Sequence, residues 1–237
     1  RMRMFNSDGS EGEMCGNGIR CFAKYALDRG IAVHDSGKLT VETAAGVRVV
    51  SPFVENGVIT GARVSMGTPI LRPSDIPVSC DPNKGRRIGE AIVDYPLVIG
   101  DVNLSLAFVS MGNPHAIAFV HDTVDEFPLH TIGPLVESHP MFPKKVNFEV
   151  VNVLESGHMR ARVWERGSGE TQACGTGACA IGVAAHILDI IRPGLDITAM
   201  PLDITLPGGT LKISWNGDGE VYLEGAAREV FDGEWKI

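Results

Sequence analysis

The chain has 237 residues, of which 44% are hydrophobic and 21% charged, an ordinary composition for a globular protein of one large or two modest domains. A formal net charge of −8 argues against nucleic acids and anionic membranes as partners, because both require a basic face. No apolar run approaches the roughly 20 residues that span a bilayer, and the first residues lack the apolar core of a secretory leader. An odd count of five cysteines does not indicate a disulfide framework, so we expect a reducing, cytoplasmic location.

The first part of the chain predicts one helix among short strands. Residues 1–4 read as the end of a strand and residues 6–10 as a loop, and a helix is predicted over residues 18–29, closed by Gly30. Strands are then predicted over residues 39–43, 47–51 and 59–66, with turns at residues 45–46 and 56–57. Residues 69–84 are rich in Pro, Ser and Asp and predict a linker.

The second part repeats this pattern at greater length. Strands are predicted over residues 104–110, 116–120, 146–154 and 158–164, then a helix over 178–191 with a stop signal at 192–194, then strands over 203–206, 211–215 and 221–224. Short antiparallel strands with two helices predict the α+β class. We predict two similar domains, residues 1–67 and 68–225, with residues from about 226 to 237 returning to complete the first.

The most informative feature is the phrase Cys-Gly-x-Gly, which occurs at residues 15–18 and again at residues 174–177. Each copy directly precedes an apolar run that predicts a helix. A cysteine at a helix start meets unpaired N–H groups and the positive end of the helix dipole, which favours the thiolate. Two such cysteines, Cys15 and Cys174, are what a two-base racemase or epimerase requires.

The other three cysteines have a simpler interpretation. Cys21 and Cys179 fall inside the predicted helices and Cys80 in the linker, so we interpret them as buried apolar residues. The pairs Cys15/Cys21 and Cys174/Cys179 could together supply four thiolates to a zinc ion. We disfavour this site, because five and four residues separate the members of the two pairs and structural zinc sites favour tighter spacing. We expect no metal, with a non-catalytic zinc- or ligand-binding module kept as an alternative.

Polar residues near the two motifs suggest a carboxylate ligand. Glycines at helix starts expose N–H groups that bind anions, although a simple tight turn is the competing interpretation. Glu165 and Arg166 lie shortly before Cys174, where Arg166 could clamp a carboxylate and Glu165 accept an ammonium group, unless they form only a surface ion pair. In residues 111–115, Asn113 could bind a polar ligand and His115 could tune a thiol, or the two could form an ordinary Asn-Pro turn with a satisfied histidine.

Taken together, these stretches resemble diaminopimelate epimerase, the cofactor-independent isomerase of bacterial and plant lysine biosynthesis. The similar stretches occur in the family's order and are spread over most of the chain: residues 6–11, 14–21, 111–115, 165–167 and 173–180. The resemblance implies two β-barrel-like α/β domains, each around a central helix, with the active site in the cleft between them. It implies a small-molecule substrate, diaminopimelate, with no cofactor, no nucleic-acid or membrane partner, and a homodimer as a possible assembly.

The resemblance also implies the roles of individual residues. Cys15 and Cys174 would be the acid–base pair, with His115 and Glu165 placed to influence the pKa of the cysteines. The distal end of the substrate would be held by Asn6, Asn113, Asn147, Glu165 and Arg166. The reacting carboxylate would be held by Gly16, Asn17, Gly175 and Thr176.

The chain departs from the family in one respect, because the Gly-Asn-Asp-Phe-type motif that opens the family is not found. We therefore expect that an N-terminal segment is missing and that the first domain is incomplete. The nearest rival is a proline-racemase-like or hydroxyproline epimerase, which also uses a cysteine pair, but Glu165 and Arg166 favour a substrate with a second amino-acid end. An isomerase of the phenazine-biosynthesis type is disfavoured because such enzymes lack the paired cysteines.

Overall fold

The computed structural model describes residues 1–5, 9, 11–12, 14–155, 157–190 and 200–234. The chain divides into two compact units, the first made of Arg1–Ser65 and Glu224–Ile237 and the second of Met66–Leu223. Both units combine sheet and helix, which confirms the predicted α+β class.

The first unit pairs a three-stranded antiparallel sheet with one helix. Its elements are β1 (Met4–Phe5), β2 (Glu11–Gly12), α1 (Gly16–Asp28), β3 (Leu39–Thr43), β4 (Gly46–Glu55) and β5 (Val58–Gly67). β3, β4 and β5 are joined in a meander, and Asn56 and Gly57 adopt φ of 52° and 80° in the tight turn before β5. α1 is amphipathic: it buries Ile19 and Ala23 and exposes Tyr25.

The end of the chain returns to this first unit. The Ala227 N–H donates to the Thr60 carbonyl at 3.0 Å. The two backbones run so close here that a Cβ added at Gly61 would lie 2.6 Å from the Gly225 oxygen. Glycine inside β5 is therefore explained by the close approach of another strand.

The second unit is a larger mixed sheet with two helices. Its elements are β6 (Arg86–Ile88), β7 (Ala91–Val93), β8 (Tyr95–Ile99), β9 (Val102–Ser110), β10 (Pro114–Phe119), α2 (Leu129–Glu137), β11 (Asn147–Glu155), β12 (His158–Glu165), β13 (Gly169–Thr171), α3 (Gly175–Ile187), β14 (Leu202–Leu206) and β15 (Gly209–Ser214). β16 (Val221–Ala226) begins in this unit, and its residues from Glu224 onward belong to the first. Strand order is β15-β14-β12-β11-β10-β9-β8, with β13 added to β12. Neighbours are antiparallel except β10 with β11 and β12 with β14.

α3 is the central helix of the second unit. Its residues from Gly177 to Ala185 are all buried, as expected for a helix that is apolar on every side. A Cβ at Gly182 would lie 2.6 Å from Ile213 Cγ2, so this glycine lets the helix lie directly against β15. α2 packs on β12 and β13 and closes a core that includes Phe108 and Phe148.

The structure corrects several predicted elements. The sequence prediction omits β2, β6, β7, β8, β13 and α2, so the described residues contain three helices where two were expected. α2 has no side-chain N-cap and contains Gly133 and Pro134, so its sequence lacks helix signals and it is held by burial of apolar residues such as Ile132.

The predicted end of α3 and the predicted linker are also wrong. α3 ends at Ile187, and Asp189 adopts a φ of 53°, so the helix does not reach residue 191; the predicted stop signal at residues 192–194 lies outside the described residues. Residues 69–84 contain no helix or strand, but they are not a free linker, because Ile76 and Val78 are buried in the core of the second unit.

Candidate active site

Cys15 and Cys174 occupy the same local position in their respective units. Each is the N-cap of its helix, with φ and ψ of −126° and 115° at Cys15 and −113° and 113° at Cys174. Each sulphur accepts a hydrogen bond of 3.3 Å from the N–H of the third helical residue, Gly18 and Gly177. This is the position that Ser, Thr, Asp or Asn usually takes, so each sulphur lies where a helix start favours negative charge.

The surroundings of Cys174 oppose the effect of its helix. Its side chain is buried, and burial raises the pKa of the thiol well above its usual value. The carboxylates of Glu165 and Glu149 raise this pKa further and outweigh the hydrogen bonds from Thr176 and Gly177. The hydrogen bond from the helix start lowers the pKa of the Cys174 thiol as predicted, but burial and the two carboxylates outweigh it, so the net pKa is raised.

A buried arginine holds the start of α1. Arg20 is 6% exposed, and its Nη1 donates to the Gly16 carbonyl at 3.0 Å and to Asn17 Oδ1 at 3.2 Å. Its Nε donates to the Ala226 carbonyl at 3.4 Å, on the segment that returns to the first unit. Arg20 was not among the predicted site residues, although it orders the residues that follow Cys15.

A chain of hydrogen bonds leads from Cys174 into the sheet. The sulphur lies 3.4 Å from Thr176 Oγ1, which accepts from Asn113 Nδ2 at 3.2 Å. Asn113 Oδ1 is 3.1 Å from His115 Nε2, and His115 Nδ1 is 2.7 Å from Glu149 Oε1. His115 and Glu149 are fully buried. The structure therefore links two predicted residues, Asn113 and His115, to Cys174.

Glu149, like Arg20, is a polar residue that the sequence analysis did not predict. Burial raises the pKa of its carboxyl, and the neighbouring His115 only partly offsets this. Its Oε2 atom is buried and has no hydrogen-bond partner in the part of the chain that the structure describes. The available signal was a glutamate inside the apolar run of β11, where a charged side chain is rarely buried without a specific partner.

The end of β12 brings together Asn147, Glu165 and Arg166. Asn147 Nδ2 donates to the Pro114 carbonyl at 2.9 Å, and its Oδ1 accepts from the Arg166 N–H at 2.9 Å. Glu165 Oε1 accepts from the Thr171 hydroxyl. Asn147 thus positions the backbone at Arg166.

The first turn of α3 offers two backbone N–H donors. Among the described residues, none accepts a hydrogen bond from the N–H of Gly175 or of Thr176. Such unpaired first-turn donors are suited to a carboxylate. Cys15, Gly16 and Asn17 belong to the first unit, and the predicted residue Asn6 lies outside the described residues.

The remaining cysteines follow the prediction only in part. Cys179 is buried in α3 as expected, but Cys21 is exposed on α1 and Cys80 is half-buried, so the buried interpretation is wrong for Cys21. Within the described ranges, no cluster of three or more His, Cys, Asp or Glu side chains could hold a metal ion. In the same ranges, no helix has the length and apolar character needed to cross a membrane.

Comparison with known proteins gives a consistent result. The family model described as Diaminopimelate epimerase matches residues 1–71 and 107–230. The Diaminopimelate epimerase of Acetivibrio thermocellus is 46% identical over 235 residues, which cover 99% of this chain and 78% of that protein. The Diaminopimelate epimerase of Desulfovibrio desulfuricans is 46% identical over 238 residues, which cover 100% of this chain and 79% of that protein.

Solved structures extend the similarity to the fold. The crystal structure of a hydroxyproline epimerase from Agrobacterium vitis with bound trans-4-OH-L-proline aligns with a TM-score of 0.63 at 15% identity. The alignment covers 94% of this chain and 66% of that one. At this identity the alignment shows a shared fold and leaves the substrate open.

Proposed function

The chain belongs to the diaminopimelate epimerase family, and from this premise we propose that it interconverts LL- and meso-diaminopimelate in lysine biosynthesis, using Cys15 and Cys174 as its two bases. The observation that carries the assignment of the bases is their matched geometry. Each sulphur caps a helix and accepts from the N–H of the third residue at 3.3 Å.

The chemistry requires two groups because epimerisation inverts one α-carbon. One thiolate removes the α-proton from one face, and one thiol gives a proton to the opposite face. The α-proton lies next to an ionised carboxylate and is very weakly acidic, so the developing negative charge must be stabilised. The unpaired N–H groups of Gly175 and Thr176 are suited to this, because fixed donors stabilise charge without reorganising. Gly16 and Asn17 would supply donors at the start of α1.

The buried cysteine is assigned the acid role at the start of turnover. Burial and the carboxylates of Glu165 and Glu149 raise the pKa of Cys174, which keeps it a thiol at neutral pH. In this proposal Cys174 gives its proton to the substrate and Cys15 removes one. The two cysteines exchange roles for the reverse reaction, and their titration is that of a coupled pair.

Recognition of the distal amino-acid end is assigned to the residues at the end of β12. Of the acceptors that the structure describes, the Arg166 guanidinium uses one, the Lys144 carbonyl at 3.1 Å. Its other N–H groups suit a carboxylate, and the Glu165 carboxylate suits an ammonium group. Asn113 and Asn147, together with Asn6, complete the proposed set. This set supports a substrate with two amino-acid ends over a proline-like one.

We propose a cytoplasmic location on chemical grounds. All five cysteines are free, and a thiol acting with a thiolate must stay reduced. A homodimer stays a prediction.

The direct test is α-proton exchange in deuterated water with LL-diaminopimelate and no added cofactor, followed by NMR and chiral analysis. We expect deuterium to enter at the inverted α-carbon. Cys15→Ala and Cys174→Ala should each abolish inversion, whereas Cys21→Ala, which changes an exposed cysteine on α1, should retain it. Full epimerase activity in Cys15→Ala would refute the two-base assignment, and turnover of proline in place of diaminopimelate would redirect the substrate assignment.

A second assay separates proton removal from inversion. A diaminopimelate analogue with a halogen on the carbon next to the α-carbon can lose the α-proton and the halide without any proton return. We expect Cys15→Ala, which cannot epimerise, to retain this elimination at alkaline pH, where Cys174 is ionised and can remove the α-proton. The double variant Cys15→Ala/Cys174→Ala should release no halide, and release at the parent rate would show that another base acts.

A further inference from the structure

The two-base scheme uses the buried Glu149 only as a charge that acts on Cys174. Glu149 also lies at the far end of the hydrogen bonds that reach Cys174. We propose that Glu149 is a positioning residue that sets whether Cys174 is a thiol or a thiolate, acting through a relay formed by His115, Asn113 and Thr176. The proposal rests on the proposed function in that it takes Cys174 as one of the two bases.

The hydrogen-bond donors and acceptors of Asn113 determine the direction of the relay. Asn113 Nδ2 donates to Thr176 Oγ1 at 3.2 Å, so Asn113 Oδ1, 3.1 Å from His115 Nε2, must accept a hydrogen from that nitrogen. The hydroxyl hydrogen of Thr176 is then free to point at the sulphur 3.4 Å away. A sulphur that only accepts hydrogen bonds is stabilised as a thiolate.

This direction requires a proton between Glu149 and His115. The Oε1 and Nδ1 atoms are 2.7 Å apart, a distance at which two lone pairs would repel each other. Since Nε2 already carries a hydrogen, the second proton lies on Nδ1 or on the carboxyl. The pair is then neutral as a whole.

Removing that proton reverses every hydrogen bond in the relay. An ionised Glu149 accepts from Nδ1–H of a neutral His115, which leaves Nε2 as an acceptor. The Asn113 amide must then turn its NH₂ group towards Nε2, and its oxygen accepts the Thr176 hydroxyl. Thr176 Oγ1 now presents a lone pair to Cys174, which favours the S–H form. The two states differ by one proton moved from the Glu149–His115 pair to the sulphur, and the total charge is the same.

Electrostatics favours the same coupling. A Cβ placed on Gly177 would lie 2.8 Å from Glu149 Oε1 and 3.3 Å from the Cys174 sulphur, so the two groups share one buried corner. Two negative charges there would be costly in a low dielectric, whereas one is permitted on either group. The titratable groups that act on Cys174 are Glu149 from β11 and Glu165 from the end of β12, with His115 of β10 paired to Glu149.

The test measures the ionisation of Cys174 directly, in the full chain without substrate. Cysteine labelled with ¹³C at Cβ reports thiol and thiolate by its chemical shift, and Cys174→Ser assigns the signal. Glu149→Gln should raise the thiolate-to-thiol ratio of Cys174 at alkaline pH about tenfold, because glutamine can donate to His115 and cannot hold the negative charge. Glu137→Gln changes another buried carboxylate of the same unit and should leave the Cys174 signal unmoved. An unchanged ratio in folded Glu149→Gln would overturn the proposal.

A second pair of variants distinguishes the relay from a charge acting through space. Thr176→Val removes the hydroxyl and should lower the thiolate ratio relative to Thr176→Ser, which keeps it. The effect of Glu149→Gln should shrink in the Thr176→Val background, and an equal effect in both backgrounds would overturn the relay. If Glu149→Gln does not fold, the comparison of Thr176→Val with Thr176→Ser still tests the relay. Equal thiolate-to-thiol ratios of Cys174 in these two variants would overturn it. These measurements need no turnover, so they test the relay separately from the proposed function. A chain without epimerase activity that shows the expected changes in the Cys174 thiolate ratio would contradict the proposed function and support the relay.

Discussion

The third residue of each helix supplies the N-cap sulphur with both a donor and space. Gly177 is crowded by buried polar atoms, because a Cβ there would lie 2.8 Å from Glu149 Oε1. Gly18 is less constrained, since the nearest atom to a Cβ there is the flexible end of Met2, Cε at 3.1 Å. The second glycine of the Cys-Gly-x-Gly motif should therefore tolerate a side chain better in the first unit than in the second.

We predict that replacing these two glycines by alanine has different effects on the free energy of unfolding. Gly177→Ala should lower the free energy of unfolding by about 1–2 kcal/mol, because overpacking against Glu149 outweighs the better helix propensity of alanine. Gly18→Ala should be neutral or stabilising, because Met2 can move aside. Chemical denaturation of both variants is the measurement, and equal losses would contradict the argument.

Ionised Glu137 stabilises the second unit in a pH-dependent way. Burial alone would raise the pKa of this carboxyl, but hydrogen bonds from Trp164, Lys145 and Gly167 outweigh burial, so its pKa lies below the usual value. An acid whose pKa is lowered by folding contributes stability above its unfolded pKa and loses it as the pH falls through the folded value. The difference in unfolding free energy between the parent chain and Glu137→Gln should therefore narrow below a pH of about 4. Denaturant titrations at neutral and acid pH test this, and a constant difference would argue against it.

At the scale of elements, those with a clear local pattern were predictable. In β12, Met159, Ala161 and Val163 are buried while Arg160 is exposed, which is the alternation seen in the sequence. The helices after Cys15 and Cys174 were also predicted, because their apolar runs begin at a marked start. α2 and Glu149 were not, because both depend on partners distant in sequence. Gly133 and Pro134 weaken any helix signal, and the partner that makes Glu149 tolerable is His115 on a neighbouring strand.

The packing of α2 gives an element-scale prediction. A Cβ at Gly133 would lie 2.6 Å from Trp164 Cδ2, so the helix can lie against β12 only with glycine at this position. Gly133→Ala should lower the free energy of unfolding by about 1 kcal/mol or more, although alanine favours the helical backbone. Leu135→Ala, on the exposed side of the same helix, should change it by less than about 0.5 kcal/mol. Thermal or denaturant unfolding distinguishes the two, and a neutral Gly133→Ala would show that α2 can shift away from Trp164.

At the scale of the whole molecule, the first unit is completed by the last residues of the chain, which return to it. Gly61 lies against the carbonyl of Gly225, and Ala227 N donates to the Thr60 carbonyl at 3.0 Å. Arg20 donates to the Ala226 carbonyl at 3.4 Å, which connects the returning segment to α1, the helix that Cys15 caps. Residues far apart in sequence thus belong to one compact unit, and the second unit is continuous between them.

Deleting residues 224–237 should therefore unfold the first unit and spare the second. Hydrogen exchange followed by mass spectrometry should show loss of protection in residues 16–65 and its retention in residues 66–223, because open units lose protection independently. Arg29→Ala is the matched control, since it removes the exposed ion pairs to Glu229 and Asp232 and the contact of the guanidinium with the exposed Tyr25 ring. Exposed contacts of these kinds contribute at most about 1 kcal/mol each. That variant should keep protection in both units. Equal loss across the chain after the deletion would mean that the two units unfold as one, and no loss would mean that the backbone contacts at Thr60 and Gly61 are dispensable.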